Sequence, residues 1–285
     1  FAAGTPGACY VSQTADGEII LAPTVGTEFS GTTQPEGWGA VPWTGGSAAF
    51  NGAAATVDGA RLATDAYFTP GRSLEFVATF GAATYQNVGF GQLLGNTSGE
   101  YWAMFGTWSG TNTLYARTNV NGSVTEVALA GNWIGSTHRF RIDWSAGAVV
   151  FSIDGSVVHT QNVTIEASMR PVISDYQSGG PAVVIDWLRM TPYATSCTFT
   201  SRVLDRGSAA DWLTLTSTGA RPPGATASFE TRAGNSALPD GSWSGWQAVG
   251  AFDGIGSPDS RYLQYRVTLA TSNAAGTPVV ADVSI

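Results

Sequence analysis

Glycine-bearing turns set the rhythm of this chain. Five Asp-Gly pairs, at Asp16, Asp58, Asp154, Asp240 and Asp253, and two Asn-Gly pairs, at Asn51 and Asn121, recur along its 285 residues. Such pairs supply the positive φ that tight hairpins need. No long stretch keeps a 3.6-residue period free of Gly, Pro or a Thr/Val cluster, so helices are not the organising element. Between the turns lie short alternating runs rich in β-branched and aromatic residues. These runs predict strands at Ser73–Phe80, Asn87–Leu94, Tyr101–Thr107, Thr113–Thr118, Val124–Leu129, His138–Trp144, Val149–Ile153, Ser156–Gln161 and Val183–Met190. The hairpin around Asp154-Gly155 is the clearest local signal. Strands of this length and spacing make a sandwich or jelly roll.

A short connector, Thr191-Pro192-Tyr193-Ala194-Thr195-Ser196, precedes a second strand-rich region. There the runs at Thr198–Asp205, Trp212–Thr216, Thr226–Arg232, Trp246–Val249, Arg261–Leu269 and Pro278–Ile285 predict a smaller sandwich. The expected organisation is residues 1–193 as one jelly roll and 197–285 as an accessory β-sandwich.

Charge narrows the partners. The formal net charge is −8, and all 13 basic residues are Arg. An acidic surface repels phosphate backbones, which argues against nucleic acid. The missing Lys reads as a GC-rich coding bias. No apolar run reaches the roughly 20 residues of a membrane span. The two cysteines, Cys9 and Cys197, form no metal-binding spacing, and a pair in a Gly/Thr/Trp-rich chain predicts one disulfide in an oxidising compartment. The chain begins at Phe1, so a processed or excised form of a larger exported parent is expected.

Residues 138–161, HRFRIDWSAGAVVFSIDGSVVHTQ, carry a strand ending in Trp144 and then a hairpin with Phe151, Asp154 and Gly155. Val184–Met190 follows with Asp186, Trp187 and Arg189 in order. Both segments resemble the late strands of concanavalin A-like jelly rolls, the fold of family 16 glycoside hydrolases and laminin G-like domains. The resemblance implies a jelly roll with a concave sugar-facing sheet. The hydrolases of that family carry E-x-D-x-E on one strand. Here the corresponding strand reads Glu100-Tyr101-Trp102-Ala103-Met104, with Trp102 and Met104 where further acids would stand. The C-terminal region, with Ser201–Asp205, Trp212, Thr231–Asn235, Trp243, Trp246 and Arg261–Arg266, resembles β-sandwich accessory modules of bacterial exported proteins.

Other chemistries find little support. Any Ser-His-Asp triad must use His138 or His159, and no G-x-S-x-G elbow is present. Without Lys no P-loop exists. The acids Glu75, Glu100, Asp143, Asp154, Asp175 and Asp186 form no contiguous calcium loop, and calcium remains the one ion their oxygen chemistry would suit. The sequons at Asn96, Asn121 and Asn162 matter only in a eukaryotic secretory host.

The aromatics carry the functional signal. Alternation puts Trp102, Met104, Gly106 and Trp108 on one strand face and Tyr101, Ala103 and Phe105 on the other. Tyr115, Arg117 and Asn119 share a face of the next strand. Trp38 and Trp43 lie in a Gly/Pro-rich stretch read as a loop. Trp102, Trp108, Tyr115, Arg117, Asn119, Trp38 and Trp43 are therefore the expected ligand-binding set, with no catalytic residue. The expected function is a non-catalytic extracellular glycan-binding or adhesion module of a secreted or surface bacterial protein. Its partner would be a polysaccharide or cell-surface glycan, with self-association or further domains of a parent protein left open. A structural subunit of a surface layer or filament, and a glycoside hydrolase or lyase with an atypical acid pair, are the competing readings.

Overall fold

The computed structural model describes residues 1–14, 17–95, 97–110, 112–250 and 253–285, with only the backbone of Thr44. Asp16 of the first turn pair and the Asn96 sequon lie outside the described residues. The described chain is all-β, with no α-helix among the described residues and no helix long and apolar enough to cross a membrane. It divides into two compact units, one of Val25–Thr191 and one combining Phe1–Thr24 with Pro192–Ile285.

The larger unit is a jelly-roll sandwich built from one continuous path of paired strands. In spatial order these are Ser123–Ala128, Leu114–Val120, Tyr101–Thr107, Gln86–Gly91, Arg170–Asp175, Ala55–Thr64, Val183–Tyr193, Arg72–Thr79, Thr137–Trp144, Val149–Ile153 and Ser156–Gln161. Trp38–Phe50 pairs along Ala55–Thr64. The path doubles back on itself. Phe105 of Tyr101–Thr107 meets Phe140 of Thr137–Trp144 at 5.0 Å and Phe151 of Val149–Ile153 at 5.2 Å between ring centroids. Around them Leu74, Phe76, Val88, Phe90, Ile142, Trp144, Ile185 and Leu188 complete a dry core. Burying each such side chain contributes roughly 1.5–3 kcal/mol before conformational entropy is counted.

Turn chemistry works as the residues require. Asn121-Gly122 and Asp154-Gly155 both take positive φ at each residue, 54° and 90°, then 49° and 82°, and close the hairpins on either side of them. Asp58-Gly59 does not turn the chain. It lies within Ala55–Thr64, where Gly59 at φ 60° sits beside the irregular pairing of Trp38–Phe50, and Gly46 and Gly59 approach too closely for a Cβ. The stretch holding Trp38 and Trp43 is likewise a strand, not a loop. Its Gly and Pro residues produce a register shift between Pro42 and Ser47 rather than a break.

The smaller unit is a β-sandwich. One sheet runs Ser196–Thr200, Ser260–Thr271, Ala225–Gly234, Gln247–Ala248, with Leu204–Ala210 also pairing Ser260–Thr271. Cys9–Ser12, Glu18–Leu21 and Val279–Val280 make a second sheet, and Thr216–Thr218 pairs Asp282–Ser284. The runs expected at 198–205 and 278–285 each divide into two strands, and Trp212 precedes its strand instead of lying in it. The unit boundary differs from the expected one because Ile19, Ile20 and Leu21 are fully buried in the core of this sandwich, beside Phe199, Val267, Leu269 and Val280. Residues 1–24 thus serve the smaller unit, not the jelly roll. Trp243 and Trp246 are structural here: Arg232 lies over both rings, and Arg266, paired with Glu230, lies over Trp246.

Cys9 and Cys197 form a disulfide within the smaller unit, across a sequence separation of 188 residues. Closing so long a loop restricts the unfolded chain by an amount worth about 5 kcal/mol on the chain-entropy account. Urea unfolding with and without reductant is therefore expected to show a markedly lower midpoint after reduction, and Cys9→Ala/Cys197→Ala should reproduce the reduced curve without reductant.

Candidate functional site

The outward face of the sheet carrying Tyr101–Thr107 holds a cleft of about 450 Å³. The pairings that build it are local and regular. Trp102 sits opposite Asn119 and Gly91, Met104 opposite Arg117 and Gly89, and Gly106 opposite Tyr115 and Asn87. Ala103 and Phe105 point the other way, into the core. Glycine is needed at position 106, where any Cβ would run into Asn87 Oδ1 and prevent that amide from reaching Arg117.

Arg117 anchors the floor. Its side chain is only 4% exposed. Nε and Nη2 donate to Glu126 Oε1 at 3.0 and 2.6 Å, and Nη1 donates to Asn87 Oδ1 at 2.7 Å. Its guanidinium lies over Trp108 at 4.6 Å and Trp102 at 5.1 Å from the ring centres. Burial pulls the guanidinium down from its ordinary value, and the bonds to Glu126 oppose that shift. The charge is matched by a carboxylate, as a buried cation requires. Trp102, 2% exposed, donates Nε1–H to Gly95 O at 2.9 Å, which ties the floor to the rim loop of Leu93, Leu94 and Gly95.

The wall is an arc of rings. Trp108 meets Tyr85 at 5.4 Å, Tyr85 meets Tyr176 at 6.2 Å, and Tyr176 meets Trp43 at 5.3 Å, each edge to face. This is the favoured geometry for aromatic pairs. Tyr85 and Leu94, both lining the cleft, adopt φ of 62° and 68°. A bulky residue in the left-handed region costs on the order of 1–3 kcal/mol, and such strain concentrates at ligand sites. Tyr176 and Leu93 are each 60% exposed, so the cleft offers apolar surface to solvent.

Of the residues expected from sequence, Trp43, Trp102, Trp108 and Arg117 line this cleft together. Trp38 does not. It is buried in the core against Phe29 because its strand turns that position inward. Asn119 is fully buried, donating Nδ2–H to Gly95 O and accepting from Gly122 N, and so shapes the rim loop from behind. Tyr115 is half-buried and is not among the lining residues. Tyr85, Tyr176, Asn87 and Leu93 are lining residues that sequence reasoning did not single out. Tyr85 and Tyr176 stand just before and just after strands, where alternation gives no direction.

Among the described lining residues there is no Asp or Glu. Glu100 accepts from Leu93 N at 3.2 Å instead. Glu75 pairs with Arg139, and Asp143 with Arg141, on strands of the opposite layer. Among the described residues no three His, Cys, Asp or Glu side chains gather as a metal site.

Asp175 lies behind the aromatic wall, one residue before Tyr176 and almost fully buried. Burial raises its carboxyl to about 6, with nearby Asp58 adding to the rise and bonds from Gln86, Gln177 and Val183 opposing it. Gln86 Nε2 donates both to Asp175 Oδ2 and to Pro181 O, linking the strand after Tyr85 to the segment after Tyr176.

No protein-family model matches the chain, and no curated protein sequence matches it. Solved structures do match. Crystalline β-agarase A in complex with oligoagarose is 13% identical over 62% of this chain and 94% of its own, with a TM-score of 0.46. A β-1,3-glucanase from Mycobacterium marinum is 13% identical over 59% of this chain and 98% of its own, with a TM-score of 0.45. A glycosyl hydrolase family 16 protein from Mycobacterium smegmatis is 14% identical over 60% and 100%, with a TM-score of 0.45.

The raised Asp175 carboxyl has a definite sign. The folded state binds its proton more tightly than the unfolded chain, so the associated stability is complete below about pH 4 and lost as pH climbs through about 6. Relative to Asp175→Asn, the wild type should lose about 2 kcal/mol of unfolding free energy across that window. Parallel urea titrations at pH 4 and 6.5 measure the difference, and parallel curves for the two proteins would contradict it.

Proposed function

We propose that the cleft binds a glycan by stacking on its aromatic arc without cleaving it, and that the cleft makes the chain a glycan-binding or adhesion module working outside the cell. The observation that carries this reading is the arc itself. Trp108, Tyr85, Tyr176 and Trp43 stand in unbroken edge-to-face contact around a floor whose one cation is already matched by Glu126. Pyranose rings present flat C–H faces that suit indole and phenol surfaces, and the cleft's size falls in the range that holds small ligands. The matched floor favours uncharged sugar units over anionic ones, since the charge of Arg117 is already balanced by Glu126.

Hydrolysis of a glycosidic bond needs two carboxyl groups about 5 to 9.5 Å apart across the bond. The described lining supplies neither, so the reading is retention without cleavage. The disulfide suits an oxidising compartment.

Affinity electrophoresis through gels containing neutral β-glucan or galactan tests the proposal. The wild type is expected to be retarded, and Trp108→Ala and Trp43→Ala should each weaken binding roughly 5- to 10-fold, the worth of one aromatic stack. Equal retardation of wild type and both variants would remove the site. Release of new reducing ends would remove the non-catalytic part of the reading.

A further inference from the structure

Away from the cleft, three side chains on the strand Thr137–Trp144 and its flanks make a chain of hydrogen bonds. Ser136 Oγ lies 2.9 Å from His138 Nε2, and His138 Nδ1 lies 2.7 Å from Asp154 Oδ2. Ser136 lies in the bend that follows Gly135, just before the strand that carries His138. Asp154 arrives from the hairpin turn that follows the next strand.

Each group is oriented by something outside the trio. Asp154 Oδ1 accepts the backbone N–H of Arg139 at 2.9 Å, which leaves Oδ2 aimed at the imidazole. The turn holds Asp154 at φ 49°, next to Gly155 at 82°, so the carboxylate is presented by rigid backbone. Desolvation alone would raise that carboxyl, but the Arg139 N–H and His138 outweigh it and hold it below its ordinary value. An ionised Asp154 accepts the Nδ1 proton, which leaves Nε2 of the neutral ring as the acceptor. In that tautomer of the ring Ser136 is the donor, with its hydroxyl proton directed at the base. The ring itself is clamped edge to face by Trp133 at 5.1 Å and Phe140 at 6.2 Å. His138 is mostly covered, whereas Ser136 is exposed to incoming molecules.

A serine that donates to a histidine, which in turn donates to a backbone-anchored carboxylate, is the arrangement that activates a hydroxyl as a nucleophile. We propose that Ser136, His138 and Asp154 form a nucleophilic triad that hydrolyses short acyl esters. Ser136 Oγ bonds to the ester carbonyl carbon while its proton passes to His138 Nε2. The ester C–O bond then breaks, and the alcohol departs with that proton. Water gives a proton to the same nitrogen and attacks the acyl carbon. The Oγ–acyl bond breaks, the proton returns to Ser136, and the carboxylic acid leaves. Asp154 holds the ring and stabilises its transient charge without taking the proton. The open setting of Ser136 suits a small acyl group such as acetyl. The site shares no residue with the cleft lining, so the proposal is independent of the glycan reading.

A fluorophosphonate, which phosphonylates activated serines with loss of fluoride, tests it on the full chain. The expected result is one adduct by intact mass, mapping to Ser136 after digestion, together with hydrolysis of 4-nitrophenyl acetate. Ser136→Ala should abolish the adduct. His138→Gln should slow its formation by at least about 100-fold, the usual worth of a positioned general base. Asp154→Asn keeps a residue that tolerates the left-handed turn, and it should slow labelling because the amide no longer enforces the productive tautomer. Thermal melting of the variants distinguishes lost reactivity from lost folding, and the Ser136 change lies at an exposed position where folding is insensitive to it. No adduct on the wild type, an adduct on another residue, or labelling of Ser136 as fast in folded His138→Gln as in the wild type would each overturn the proposal.

Discussion

Phe105 holds the two layers of the jelly roll together. It stands on the cleft-bearing sheet and touches Phe140 and Phe151 of the facing sheet, with Phe76 also within 6.3 Å. Because side chains alternate along a strand, the inward direction of Phe105 dictates the outward direction of Met104 and, two residues earlier, Trp102. The floor of the cleft is thus a by-product of core packing. A one-residue slip of Tyr101–Thr107 would turn Met104 toward the inter-sheet core and Phe105 toward the cleft, so register and site stand or fall together. The same coupling explains why the cleft floor needs few residues of its own. Its geometry is inherited from a core that cannot rearrange without large cost.

Much of this was legible in the chain. Tyr101–Thr107, Val149–Ile153 and Ser156–Gln161 occur with the expected ends, because turn residues lie close to their ends and their runs are rich in β-branched and aromatic residues. That Trp102 and Trp108 share a face followed from parity, whereas the place of Arg117 beside them needed the register with the next strand. What was not legible has specific causes. Trp38–Phe50 contains four glycines or prolines, which read as a loop, yet its long pairing with Ala55–Thr64 overrides local preference. Tyr85 and Tyr176 reach the cleft through an unusual φ and a strand end, neither of which periodicity reports. Ser136 and His138 did carry a signal, a hydroxyl and an imidazole two residues apart at the start of a strand. Its third member lies 16 residues beyond His138 in a turn that reads as purely structural. The Phe1–Thr24 segment looked like the first strands of the larger unit because chain order suggested it, whereas burial of Ile19, Ile20 and Leu21 assigns it elsewhere.

The exclusive use of Arg leaves a mark on the packing. Arg117 lies between two indoles, Arg139 and Arg189 lie over Trp187, and Arg232 and Arg266 lie over Trp246. A planar guanidinium can stack on a ring and still donate in its own plane to a carboxylate, as Arg266 does to Glu230. A lysine ammonium has no such plane. Whatever the origin of the composition, these tryptophans on both units are held by planar cations that also pair in their own plane, a combination Lys does not offer.

The disulfide joins residues that bracket the whole larger unit, so the smaller sandwich is a discontinuous structure with the jelly roll inserted into it. Synthesis proceeds from the N-terminus, and domains fold as units when their residues become available. The inserted body can therefore fold while the hairpin of Cys9–Ser12 and Glu18–Leu21 still lacks its third strand, Val279–Val280, and Cys9 still lacks Cys197. Those two strands spend the interval with unpaired edges, and the thiol of Cys9 stays open to the wrong partner until the second cysteine emerges. Once the bond is made, a single protease cut anywhere in the inserted body leaves one covalent molecule.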